Sequence, residues 1–215
     1  MTDNELKRLV TAELNWDPAV RSAAIGVAVK DGVVSLVGHL DTLAERDAAV
    51  RALQRVAGVK AAAVELDVRL AIPHKRSDAE LAASAQQALQ WNTLIPAKSI
   101  RLTVEHGGVT LEGEVEWDFQ RQAAVRAIRP LMGVTDVRNE ITLRPKPQTA
   151  DLAQRIEDAL TRQALREARQ IRVAVEGETV KLTGLVNSSY ERDAVERIAW
   201  QAPGVNKVVN ELVVA

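Results

Sequence analysis

The chain has no cysteine, so disulfides, thiolate nucleophiles and zinc–thiolate centres are all excluded. Aromatic residues make up 3% of it, and there are only three histidines: His39, His74 and His106. They are far apart in sequence, with no H-x-x-x-H spacing, and read as a strand end, a linker and a hairpin turn. No apolar run reaches the roughly 18 residues that would suggest a membrane-spanning helix. Neither charge sign is in surplus. The formal net charge of -1 gives no basic footprint for nucleic acid. There is no phosphate-cradling glycine loop ending in Lys-Ser/Thr and no Gly-x-Ser-x-Gly elbow. These absences lead us to expect no catalytic centre, no metal and no cofactor. The N-terminus is acidic and lacks the positive start and apolar stretch of a secretory signal. The sequence as written therefore predicts a cytoplasmic protein, or a periplasmic one if a leader has been removed.

What the chain does contain is one stretch written three times. It runs Gly38 to Gly58, Gly113 to Gly133 and Gly184 to Gly204, and each second glycine is followed by valine. The first glycines stand 75 and then 71 residues apart, so each unit holds about 70 residues. The predicted domains are 1–70, 77–145 and 148–215, joined by short proline-bearing basic linkers (70–76 and 144–148).

Each unit opens with a helix. Leu6, Val10 and Leu14 line one face, as do Leu81, Ala85 and Leu89, and Leu152, Ile156 and Leu160. Thr2 with Glu5, and Ser77 with Glu80, fit capping boxes, while Thr149 is the expected third cap with Asp151 in the first turn. Two strands of period two follow: Ile25-x-Val27-x-Val29 with Val34-x-Leu36, and their counterparts from Ile100 and Ile171. Asp31-Gly32, Gly107-Gly108 and Glu176-Gly177-Glu178 supply hairpin turns. Gly38, Gly113 and Gly184 are expected to end the second strand, where a missing Cβ permits a bend or close helix approach. A second helix should fill most of the gap to Gly58, Gly133 and Gly204, which provide a left-handed terminus. A third strand then runs parallel to the second. The expected fold is α+β: three tandem αββαβ domains, each with two helices packed on a three-stranded mixed sheet.

This pattern resembles the BON domain. The hydrophobic-x-Gly hairpin end, the helix, Gly133-Val134 with Val137-x-Asn139-x-Ile141-x-Leu143, and Gly204-Val205 with Val208-x-Asn210-x-Leu212-x-Val214 carry the resemblance. The first unit departs from it, with Ala62 for the valine and Val64 for the asparagine. The resemblance covers nearly the whole chain. It implies the αββαβ fold and a non-enzymatic, stress-associated role in binding phospholipid or membrane surfaces, as in osmotically inducible periplasmic proteins.

The repeats also act as internal controls on the aromatic residues. Trp16 and Trp91 share an offset, which predicts a packing role. Trp117 and Phe119 match Thr42 and Ala44 in the first unit, and Ser188 and Tyr190 in the third. Trp200 matches Gln54 and Arg129. Trp117, Phe119 and Arg121, with Tyr190 and Trp200, are therefore the candidate lipid- or partner-binding residues, assisted by Lys75, Arg76, Arg144 and Lys146. Packing of Trp117 against a neighbouring domain is the alternative for that residue. Arg46, Arg121 and Arg192 recur, either as phosphate contacts or as solvated helix positions. The alternative function is a protein-interaction scaffold or holdase, using exposed sheet edges in three copies.

Overall fold

The computed structural model describes residues 1–96, 99–144, 151–162 and 171–214. It divides into two compact units, Met1–Val115 with Gln120–Thr142, and Glu116–Phe119 with Leu143–Ala215. The first unit holds two αββαβ domains and the second holds the third.

In the first domain the elements are α1 (Asp3–Trp16), β1 (Ile25–Lys30), β2 (Val33–Leu40), α2 (Leu43–Arg55) and β3 (Ala61–Val68). The sheet order is β1-β2-β3. β1 runs antiparallel to β2 and pairs Ile25 with Gly38; β3 runs parallel to β2 and pairs Val34 with Ala62. Alternation along β2 turns Val34, Leu36 and Leu40 into the core, where they meet Leu6, Val10 and Leu14 of α1 and Ala48, Ala49, Ala52 and Leu53 of α2. Each fully buried leucine contributes about 1.5–3 kcal/mol against chain entropy. Alanines on α2 let that helix lie close to the sheet.

The second domain repeats the order with α3 (Asp78–Trp91), β4 (Ile100–Glu105), β5 (Gly108–Val115), α4 (Asp118–Ile128) and β6 (Asp136–Leu143). Its sheet runs β4-β5-β6. In the second unit α5 (Leu152–Arg162), β7 (Arg172–Glu176), β8 (Thr179–Val186), α6 (Ser189–Trp200) and β9 (Lys207–Val214) form the third copy, with β9 parallel to β8. Leu152, Ile156 and Leu160 are buried against Val180, Leu182, Val195 and Ile198.

Local chemistry fixes the ends of these elements. Glu5 N donates to Thr2 Oγ1 while Thr2 N donates to Glu5 Oε2 at 2.8 Å; Ser77 and Glu80 form the same box. Thr149 lies outside the described residues. Thr42 and Ser188 cap α2 and α6 by accepting from Glu45 N and Glu191 N. The first hairpin turns on Asp31 (φ 53°) and Gly32 (φ 80°). The second turns on His106 (φ 51°) and Gly107 (φ 78°), one residue earlier than the glycine pair suggests, because Gly108 already belongs to β5.

Two expectations change. The second helices are 13, 11 and 12 residues long, so Gly58, Gly133 and Gly204 sit in the loops beyond them. Their φ values of 86°, 98° and 88° are left-handed as anticipated. Gly38, Gly113 and Gly184 lie inside β2, β5 and β8 rather than at the strand ends. At Gly38 and Gly113 the nearest approach is not from an α-helix. A Cβ there would stand 2.1 Å from the carbonyl oxygen of Ala24 or Ser99, the residue just before the paired strand. The family-type asparagines also have a visible job. Asn139 Oδ1 accepts from Ile141 N and Asn210 Oδ1 from Leu212 N, each at 3.2 Å. Val64, in place of the first asparagine, packs against the core instead.

Candidate interaction surface

The histidines do not converge. His39 Nδ1 lies 3.6 Å from an Asp67 carboxylate on the open sheet face, His74 sits in a short 3-10 turn, and His106 is exposed at its hairpin tip. Among the described residues, no group of three His, Asp or Glu side chains is placed to hold a metal ion. No helix among them is long and apolar enough to cross a membrane.

The aromatic candidates separate by burial. Trp117 precedes α4 at the position where Thr42 and Ser188 cap their helices, so its sister residues are hydroxylic for capping rather than for solvent exposure. It is half-buried, and the stretch Glu116–Phe119 falls in the second compact unit. Phe119 is 49% exposed and Tyr190 is 67% exposed. Arg197 approaches the Tyr190 ring at 5.9 Å from its centroid. Trp200 packs on the third core and donates from Nε1 to Glu196 Oε1 at 3.4 Å.

Trp16 and Trp91 overturn the packing expectation. They are 83% and 80% exposed, the most projecting large rings of the described residues, each closing the first helix of its domain. The sequence held the signal. Two positions past Leu14 or Leu89 is about 200° around the helix, which turns the ring away from the buried stripe. Sharing an offset showed that the position is equivalent in the two domains; it did not show that it is buried. Leu94, half exposed, follows Trp91 closely in the chain.

The recurrent arginines are not equivalent. Arg46 Nε is buried without a hydrogen-bond partner, Arg121 is half-buried, and Arg192 Nε lies 3.9 Å from Asp193. Burial pushes the Asp193 carboxyl up, with Arg192 opposing it. In the linkers Arg76 Nη1 donates to the carbonyls of Pro73 and Lys75, while Arg144 lies 3.9 Å from Glu116. Lys146 lies outside the described residues.

Another cation has a stronger partner. Arg129, just past α4, donates from Nε and Nη2 to the two carboxylate oxygens of Asp47 on α2, both at 2.6 Å. Asp47 holds the guanidinium above its ordinary value, against the pull of desolvation. This fork joins the first two domains within one unit. The second domain also carries a groove of about 740 Å³ between α3 and β4, lined by Gln86, Gln90, Ile100, Arg101 and Leu102 among others.

Comparison with known proteins places these features in context. The family model described as BON domain matches residues 2–69, 77–145 and 148–215. The chain is 29% identical over 143 residues to osmotically-inducible protein Y of Escherichia coli strain K12, spanning 63% of this chain and 71% of that protein. Among solved structures, two of CdsD, a structural protein of the type III secretion system of Chlamydia trachomatis, align at 13% identity and a TM-score of 0.28. One covers 98% of this chain and 92% of its own, and the other, of the C-terminal domain, covers both completely. Superpositions of that quality carry no structural argument.

Proposed function

Because the chain belongs to the BON domain family, matched in three successive stretches, we propose that it is a non-catalytic protein that binds phospholipid membrane surfaces under osmotic or envelope stress. The observation that carries the reading is the pair of projecting indoles, Trp16 and Trp91, at sister helix ends. A large ring left in water at two equivalent positions offers apolar area that its own domain leaves mostly uncovered. Tryptophan favours the headgroup level of a bilayer, where its apolar body and N–H are both satisfied. Burying about 100 Å² of each indole at about 25 cal/mol per Å² supplies about 2.5 kcal/mol per ring. Phe119 and Tyr190 are the further contacts proposed, on the first turns of α4 and α6. The osmotically inducible relative supports the stress association, and the compartment that fits the role is the periplasm rather than the cytoplasm.

With a net charge of -1, bulk attraction to anionic lipid is not the driving term. Flotation of the intact protein with phosphatidylglycerol vesicles should therefore change little as salt rises from about 0.05 to about 0.5 M. Trp16→Ala and Trp91→Ala should each weaken partitioning on the order of tenfold or more. Failure of the intact protein to float with any vesicle would remove the function. Unchanged flotation of the double variant would remove these two anchors.

A further inference from the structure

We propose that the groove between α3 and β4 of the second domain binds an extended, mostly apolar peptide segment bearing one carboxylate, which adds to β4 as a fourth strand. β4 is an edge strand, paired with β5 on one side only. Three consecutive residues, Ile100, Arg101 and Leu102, line the groove, so it runs along the strand's open edge rather than across one face. An edge of this kind presents backbone N–H and C=O groups to any chain laid beside it.

The opposite wall fits the same occupant. Gln86 and Gln90 stand one helical turn apart on α3, about 6 Å, close to the two-residue repeat of about 6.6 Å in an extended chain. Their amides can meet alternate peptide groups, whereas an acyl chain would desolvate them without return. The floor, Ile100 and Leu102, is apolar and only half-buried. Arg101 is the one charged side chain among the described lining residues, which selects a carboxylate on the guest.

The sister domains differ at the equivalent place. Ile25 and Ile171, the counterparts of Ile100, are buried. In the first domain Lys7 replaces Ala82 on the helix, and Arg21 stands where the second domain has Pro96. Arg21 N and Nε donate to Glu45 Oε1 at 2.9 and 3.1 Å, and Nη1 lies 2.8 Å from Asp41, which straps that loop down. Glu116 and Gln120 occupy the corresponding acidic positions in the second domain, and proline has no N–H to give.

The test uses the full chain and a fluorescein-labelled seven-residue peptide that alternates valine and threonine with aspartate at its centre. Saturable binding by fluorescence anisotropy is expected. N-methylation of alternate amides along one peptide edge should weaken it about tenfold or more. Ala82→Lys with Pro96→Arg, both native to the first domain, should do the same while circular dichroism stays unchanged. Arg101→Glu, on the exposed face, should transfer preference to a peptide with lysine at its centre. Absence of saturable peptide binding, binding indifferent to N-methylation, or displacement by oleate of a probe that no peptide displaces would each overturn the proposal.

Discussion

Gly113 shows how much one missing methyl group can decide. Its φ is 141°, and a Cβ built on it would meet the Ser99 carbonyl oxygen at 2.1 Å. Gly113→Ala should cost about 3 kcal/mol, combining backbone strain with a steric push on the neighbouring chain. Gly26 gives the contrast: the nearest atom to its added Cβ is Val37 O at 3.4 Å, an ordinary contact. Gly26→Ala should be neutral or stabilise by up to about 1 kcal/mol. Urea denaturation midpoints of the two variants check both values. Glycine spacing was enough to mark Gly113 in the sequence. It did not reveal what the glycine admits, because the approaching carbonyl belongs to a loop with no repeated residue of its own.

At the scale of elements, an acid at the start of each first helix in the first unit holds the distant hairpin turn. Asp3 accepts from Asp31 N and Gly32 N, and Asp78 accepts from His106 N and Gly107 N at 2.8 and 3.0 Å. The backbone N–H groups of Gly107 and His106 lower the Asp78 carboxyl below its ordinary value. A depressed folded-state value means the added stability is full above the usual carboxylate range and is lost as pH falls through the lowered one. Thermal melts from pH 7 down to about pH 2 should show Asp78→Asn losing its deficit relative to the parent at the acid end. Strand and helix identity was legible throughout, since periods of 2 and 3.6 were clean and glycine-bearing turns separated them. This clamp was not: 28 residues separate Asp78 from His106, and no local pattern links them. The second glycines were read as closing the second helices for a related reason. A glycine that supplies a left-handed loop residue looks in sequence like one that ends a helix.

For the molecule as a whole, the Asp47–Arg129 fork is the feature to perturb. It is partly buried and bidentate, which places its worth between that of exposed pairs and fully buried ones, about 1–2 kcal/mol. A double-mutant cycle with Asp47→Asn and Arg129→Met, read by calorimetry, should return a coupling of that size. Loss of either partner should also expose the 70–76 linker to protease. A coupling near zero would show that other contacts join the first two domains. Three copies of one fold were evident from the repeat, but this pairing was not: the acid recurs in the third copy as Asp193, while the arginine has no counterpart, and no local pattern links positions 82 residues apart. Where the first domain has Asp47 the others have Gln122 and Asp193; where the second has Arg129 the others have Gln54 and Trp200.

That asymmetry bears on how the chain escapes a hazard of its own making. A polypeptide assembled from near-duplicates offers each segment several wrong mates during synthesis, and misassembled repeats are a known failure of such proteins. The Asp47–Arg129 couple sets the first domain against the second. A mating that takes Arg129 away strands the Asp47 carboxylate at a partly buried seam, and so weighs against that ordering of the parts.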